Sequence, residues 1–331
     1  MAAYHQEVKR GGWVLIGVAA MMAVAFGLVA VFVAPHFEGV RSVPLLQFVA
    51  MRRLVGAVLL TVSLLLLGLM AVRRRGWLRI LAVGLAIASL VGLSVILSGV
   101  FRDAGHGLNV DIPGGDVVFL SWNTNQENVD SSTIISTIEK IEPDVVVLPE
   151  YFDAVARAQL GEWADENAFT IYSAEASASS VLISEALGEY HVDAEGVPAW
   201  AGFVAVPAKS SSPEIVVVHA EHAGWTDSAV WNSHLNWVAD ACDGPNVVAI
   251  GDFNAPAESL EDDSLGSCRD APGDGAGTWP TGIPAGLGVQ IDRVLTGQRW
   301  SVEQFIVLNA LDRSGTDHRP IVAVVREGEL N

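Results

Sequence analysis

Val247-Val248-Ala249-Ile250-Gly251-Asp252-Phe253-Asn254 sets four apolar residues against a glycine, a carboxylate and an amide. A short β-branched run closed by glycine and Asp reads as a buried strand that carries polar groups at its end. The same pattern recurs on both sides. Upstream, 117–122 ends at Asn123, 145–148 ends at Pro149-Glu150, and 215–218 ends at His219. Downstream, Asp292 lies within 289–294, and Thr316-Asp317-His318-Arg319-Pro320 stands just before 321–325. Strands are also expected at 181–183 and 203–206. Ile134, Ile135, Ile138 and Ile141 recur at helical spacing within 131–141. A second helix, about 228–242, is expected to bury Trp231, Leu235, Val238, Ala239 and Cys242 and to leave His234 in solvent. Strands separated by helices indicate an α/β domain, and rigid strand ends are a common way to hold a catalytic group.

Each polar residue also has a structural reading. Asn123 can start a turn, Glu150 can cap a helix, Asp252 and Asn254 beside Pro256 can form an Asx turn, and Asp317-His318 can be a solvated pair. Asp292 is different, because a half-buried carboxylate requires a partner. His219 and His222 compete for one role. Residues three apart on a strand face opposite ways, and His219 directly continues the apolar run. Trp279 reads equally as a core residue or as a wall of a cleft.

The 331 residues are 51% hydrophobic and 17% charged, with a mean hydropathy of +0.38. This is too apolar for an ordinary soluble chain. Residues 1–102 carry ten Lys/Arg against Glu7 and Glu38, whereas 103–331 carry nine basic and 36 acidic residues. Two different objects therefore join near residue 102. Apolar runs at about 13–33, 54–72 and 77–100 each approach the roughly twenty residues that cross a bilayer, so 1–101 is expected to be a three-helix anchor integral to the membrane. Residues 102–115 read as a linker and 116–327 as the globular domain. Lys9, Arg10, Arg73, Arg74, Arg75 and Arg79 outnumber Arg41, Arg52 and Arg53. That bias makes the protein multi-pass in the cell membrane, with a cytoplasmic N-terminus and an extracytoplasmic domain. Cys242 and Cys268 would then lie where disulfides persist. A bond between them would close about 25 residues and stabilise by roughly 3 kcal/mol; the alternative is two unconnected thiols.

Taken in order, Asn123, Leu-Pro-Glu150, Val-Val-His219, Gly-Asp252-Phe-Asn254, Ile-Asp292-Arg-Val and Thr-Asp317-His318-Arg-Pro resemble the endonuclease/exonuclease/phosphatase superfamily, over about residues 116–327. The three-helix anchor resembles that of its bacterial membrane-bound members. The resemblance implies a four-layer αββα sandwich with the site at one rim of its two sheets, and a metal-dependent phosphoesterase. It implies Glu150 as principal metal ligand, with Asn123 and Asp317 in the same shell. Asp252 would orient or deprotonate water, Asn254 and His318 would contact the phosphate, Asp292 would fix the His318 tautomer, and His219 would donate to an oxygen. Thr316 stands where the family more often has Ser. Oxygen ligands without thiolate suit Mg²⁺ or Mn²⁺. The acidic domain lacks the basic stripe that nucleic acid requires. The expected substrates are therefore lipid-headgroup or other small phosphoesters. An extracytoplasmic nuclease and an inert binding scaffold on the same fold are the alternatives, and no protein partner is deducible.

Overall fold

The computed structural model describes residues 45–72, 90, 93, 106–108, 116–224, 226–260, 265–273 and 275–328. Two six-stranded mixed sheets form the centre. The first has the spatial order β11 (Trp300–Val307), β12 (Ile321–Glu327), β1 (Val117–Ser121), β2 (Val145–Leu148), β4 (Ser180–Ser184), β3 (Phe169–Ser173). The second runs β5 (Tyr190–Asp193), β6 (Gly202–Pro207), β7 (Glu214–His219), β8 (Val247–Asp252), β10 (Asp292–Thr296), β9 (Arg269–Asp270).

Each sheet has one parallel pair at its middle, β1 with β2 and β7 with β8. Parallel neighbours need a crossover, and a helix lies in each: α3 (Ser131–Ile141) between β1 and β2, α5 (Ser228–Ala241) between β7 and β8. Asp130 caps α3 by accepting from Ser132 N–H, and Glu142 ends it in the left-handed region at φ +53°.

Alternation along the strands sorts side chains into layers. Phe119, Val147, Val217, Ile250 and Val294 pack between the sheets. Val118, Leu120 and Trp122 face the other way, onto Ile134, Ile138 and Ile141 of α3 and onto Ala156 and Leu160 of α4 (Asp153–Glu166). Val216 and Val218 pack against Trp231, Leu235 and Val238 of α5. The result is helix, sheet, sheet, helix, as the resemblance implies. Truncating a fully buried isoleucine such as Ile134 in such a layer costs about 2–5 kcal/mol.

Several expectations need correcting. His234 is buried, 2% exposed, not solvated. Ala239 is only half-buried. Strand β10 begins at Asp292, because residues 289–291 belong to the preceding loop, where Val289 bridges Trp279. Strands β3, β5, β9 and β11 and helix α4 are additional to the sequence reading.

Cys242 and Cys268 form a disulfide, Cα–Cα 5.4 Å, tying the end of α5 to the start of β9. Of the three apolar runs, 13–33 lies outside the described residues, as does 77–100 apart from two residues. The middle run is helix α2 (Arg52–Val72), preceded by the short α1 (Leu45–Ala50). The described side chains of α2 reach only to Leu65, and over the described residues no helix is long and apolar enough to cross a membrane. The head of α2 touches the domain: Arg52 pairs with Glu258, and Arg53 donates to Gly275 O at 2.6 Å.

Candidate active site

The topology explains why six separate strands meet at one rim. Asn123 and Glu150 follow the C-terminal ends of β1 and β2, and His219 and Asp252 end β7 and β8. Strands β12 and β10 run antiparallel to β1 and β8, so their beginnings lie at that same rim. Ile321 pairs with Ser121, just after His318, and Asp292 pairs with Asp252. His219 pairs with Asp252 on the other side, which sets His219, Asp252 and Asp292 in one row. The row depends on Gly251. At φ +145°, an added Cβ there would lie 2.0 Å from Val218 O, so only glycine lets β7 and β8 approach before Asp252.

Asn123 joins the two sheets. Its amide donates to Glu150 Oε1 at 3.1 Å and to Asp252 Oδ2 at 3.0 Å. Glu150 sits at φ +58°, a backbone state that costs a non-glycine residue about 1–3 kcal/mol. Its Oε2 accepts from Gln126 N–H at 3.0 Å, and His219 Nε2 stands 3.4 Å from its Oε1. The His219 contact, aided by Asn123, holds the Glu150 carboxyl down to about 2 against the cost of partial burial. Burial alone would lower His219, but Glu150 and Asp252 outweigh it and raise the imidazole.

Deeper in the rim the balance reverses. Burial pushes Asp252 up to about 6, and Asp292 adds to the rise, while His318 and His219 oppose it. His318 Nδ1 lies 3.0 Å from Asp292 Oδ2, and its Nε2 lies 3.8 Å from Asp252 Oδ2. Burial acts to lower His318, yet the two aspartates raise it to about 10, so it is an imidazolium at neutral pH. Asn254, at φ +48°, donates its N–H to Asp252 Oδ1 at 2.8 Å and its amide to Ala220 O at 2.9 Å.

Asp317 lies in the loop before β12, next to His318. Its Oδ2 accepts from the Trp279 indole N–H at 2.7 Å, and no contact joins it to Glu150 among those described. Trp279 is therefore a half-buried partner of Asp317. His222 is exposed and pairs with Glu221 and Asp227, while His219 occupies the rim.

Other contributors gave little sequence signal. Thr278 Oγ1 accepts from the N–H groups of Ile291 and Asp292 at 3.0 and 3.2 Å, which fixes the start of β10. The Trp122 indole donates to His318 O at 3.1 Å. Arg319, fully buried, donates to Gly277 O, Pro280 O and Ile283 O, pinning the loop that carries Thr278 and Trp279. Of these, Trp122 and Arg319 stand in the sequence motifs, next to Asn123 and His318.

Ligand atoms of Asp252, Asp292 and His318 lie within 4.8 Å of one another, close enough to surround an ion. A doubly protonated imidazole, however, has no lone pair to give. The partly exposed Glu150 carboxylate, ionised across the physiological range, fits a hard cation better. Asp292 Oδ1 is buried without a hydrogen-bond partner among the described residues.

The structure is similar to that of D. rerio TDP2 solved with a single-strand DNA product, at 16% identity and a TM-score of 0.50, over 64% of this chain and 99% of that one. Similarity extends to an endonuclease/exonuclease/phosphatase from Beutenbergia cavernae DSM 12333, at 19% identity and 0.47, over 64% and 72%. The human Nocturnin catalytic domain with bound sulfate matches at 14% and 0.47, over 66% and 96%. No curated protein matches the chain. The family model "Endonuclease/Exonuclease/phosphatase family" matches residues 120–318, which include every candidate residue from Asn123 to His318. The chain belongs to the endonuclease/exonuclease/phosphatase family.

Proposed function

We propose that the protein is a membrane-anchored, Mg²⁺- or Mn²⁺-dependent phosphoesterase that hydrolyses lipid-headgroup or small phosphoesters outside the cytoplasm. The observation that carries this reading is the Asn123 amide held between Glu150 and Asp252, which joins a charged edge to a proton-accepting corner. Glu150 and Asn123 would hold the cation, with Asp317 nearby. When bound, the cation supplies charge neutralisation and Lewis acidity at the phosphate. Asp252, oriented by Asn254, takes the proton of the attacking water. His318 places its imidazolium against the developing phosphoryl charge, Asp292 keeps Nδ1 protonated, and His219 donates to a second oxygen. Asn254 contributes to holding the phosphate.

Two features support the membrane and compartment assignment. The disulfide fits an oxidising compartment. Arg52 and Arg53 bring the head of the second apolar run to the domain, which fits a three-span topology with both on one side. With nine basic residues against 36 acidic after residue 102, the domain is poorly suited to a polyanion. The test is hydrolysis of bis(p-nitrophenyl) phosphate and of membrane lipid extracts by the detergent-purified full chain, with Mg²⁺ and with chelator. Metal-dependent release of product is expected, and turnover that persists in chelator contradicts the proposal.

A further inference from the structure

Beside Glu150, His219 and Asn254 the rim opens into a cavity of about 350 Å³. Phe152 and Trp200 line it and are 41% and 54% exposed. Beyond residue 108, Val230 is the only other exposed large apolar side chain among the described residues. Two of three thus stand at one opening, beside the catalytic groups, which marks a ligand-contact surface. Trp200 is held there at φ +70°, with its N–H bonded to Ala176 O at 3.0 Å.

His234 also lines the cavity, from α5. Glu221 N–H donates to its Nδ1 at 3.0 Å, which assigns the ring proton to Nε2, and no described residue accepts that proton. Burial lowers its basicity, so the ring is a neutral donor. Glu221 supplies a carboxylate to the same cavity, and none of the described lining residues is Lys or Arg.

We propose that this cavity binds the alcohol portion of the substrate, and that this portion is a neutral cyclic polyol, a sugar ring. The proposal rests on the phosphoesterase reading, because the cavity shares Glu150, His219 and Asn254 with that site. The C–H faces of a sugar stack on exposed aromatic rings, while its hydroxyls accept from His234 Nε2–H and donate to the Glu221 carboxylate. A second anionic group would meet Glu150 and Glu221 with no lysine or arginine to receive it, since His219 and His222 already face those two carboxylates. A nucleobase stacks equally well but offers a carboxylate fewer donors.

Calorimetric titration of the detergent-solubilised full chain in Mg²⁺ compares glucose 6-phosphate, thymidine 5′-phosphate and inorganic phosphate. Glucose 6-phosphate is expected to bind at least about tenfold more tightly than the other two, since a site built around hydroxyls penalises ligands that lack them. His234→Phe should narrow that ratio, and so should Trp200→Ser, which removes a side chain that is more than half exposed. Equal or tighter binding of thymidine 5′-phosphate, no binding of any ligand, or an unchanged ratio in both variants overturns the sugar site. Preferential glucose 6-phosphate binding without any hydrolysis would instead strike the phosphoesterase reading and leave the sugar site standing.

Discussion

Two carboxylates at one rim, about one asparagine apart, behave in opposite ways. Glu150 is partly open to solvent, receives Gln126 N–H and Asn123, faces His219, and is held down to about 2. Asp252 is buried beside Asp292 and is raised to about 6. Residue type does not decide the difference; donors and solvent do. The permanently charged edge suits a cation, and the raised, desolvated corner suits proton transfer near neutral pH. His318 belongs to the corner, where its charge of +1 offsets the two aspartates.

The comparison breaks most visibly at Asp252. Asp252→Asn is expected to lower kcat by about 10²–10⁴-fold, the usual worth of a positioned general base; steady-state kinetics on a phosphodiester check this. Asp292→Asn and His318→Gln should each cost about 10²–10³-fold. Their double variant should cost little more than either, because the second change removes a group already without its partner. Additive losses in the same kinetic assay would show that they act separately.

The pH profile sharpens the contrast. Activity should fall as pH drops through about 6, where Asp252 gains its proton, and a bound cation would shift this limb lower. It should fall again as pH rises through about 10, where His318 loses its proton. The stability that His318 contributes is complete below its ordinary value of 6.5 and is lost as pH rises through about 10. Thermal unfolding as a function of pH reads that loss. Reducing the Cys242–Cys268 bond, which ties the end of α5 to the start of β9, should cost about 2–4 kcal/mol of stability. It should change kcat far less than the Asp252 substitution, as denaturant unfolding and kinetics together would show.

How much of this was readable follows from the type of signal. Strand ends were legible because a short β-branched run stopped by Asn, Glu, His or Asp is a local pattern, and the parallel crossovers then carry four of them to one rim. His234 is misread from its polar sequence neighbours Asn232 and Ser233; helical spacing sets it on the face of Trp231 and Val238, where it is buried and accepts from Glu221 N–H. The Asp317–Trp279 bond joins residues 38 apart and has no periodic signature. Strands β3, β5 and β11 were missed because Thr170, His191, Glu303 and Gln304 interrupt their apolar pattern.

The division of labour is tested most directly by Mg²⁺ binding to two variants, measured calorimetrically. Glu150→Ala is expected to abolish binding, whereas Asp252→Asn should keep an affinity close to that of the unmodified chain. Loss of Mg²⁺ binding in Asp252→Asn with retention in Glu150→Ala would place the cation among Asp252, Asp292 and His318 and contradict the account.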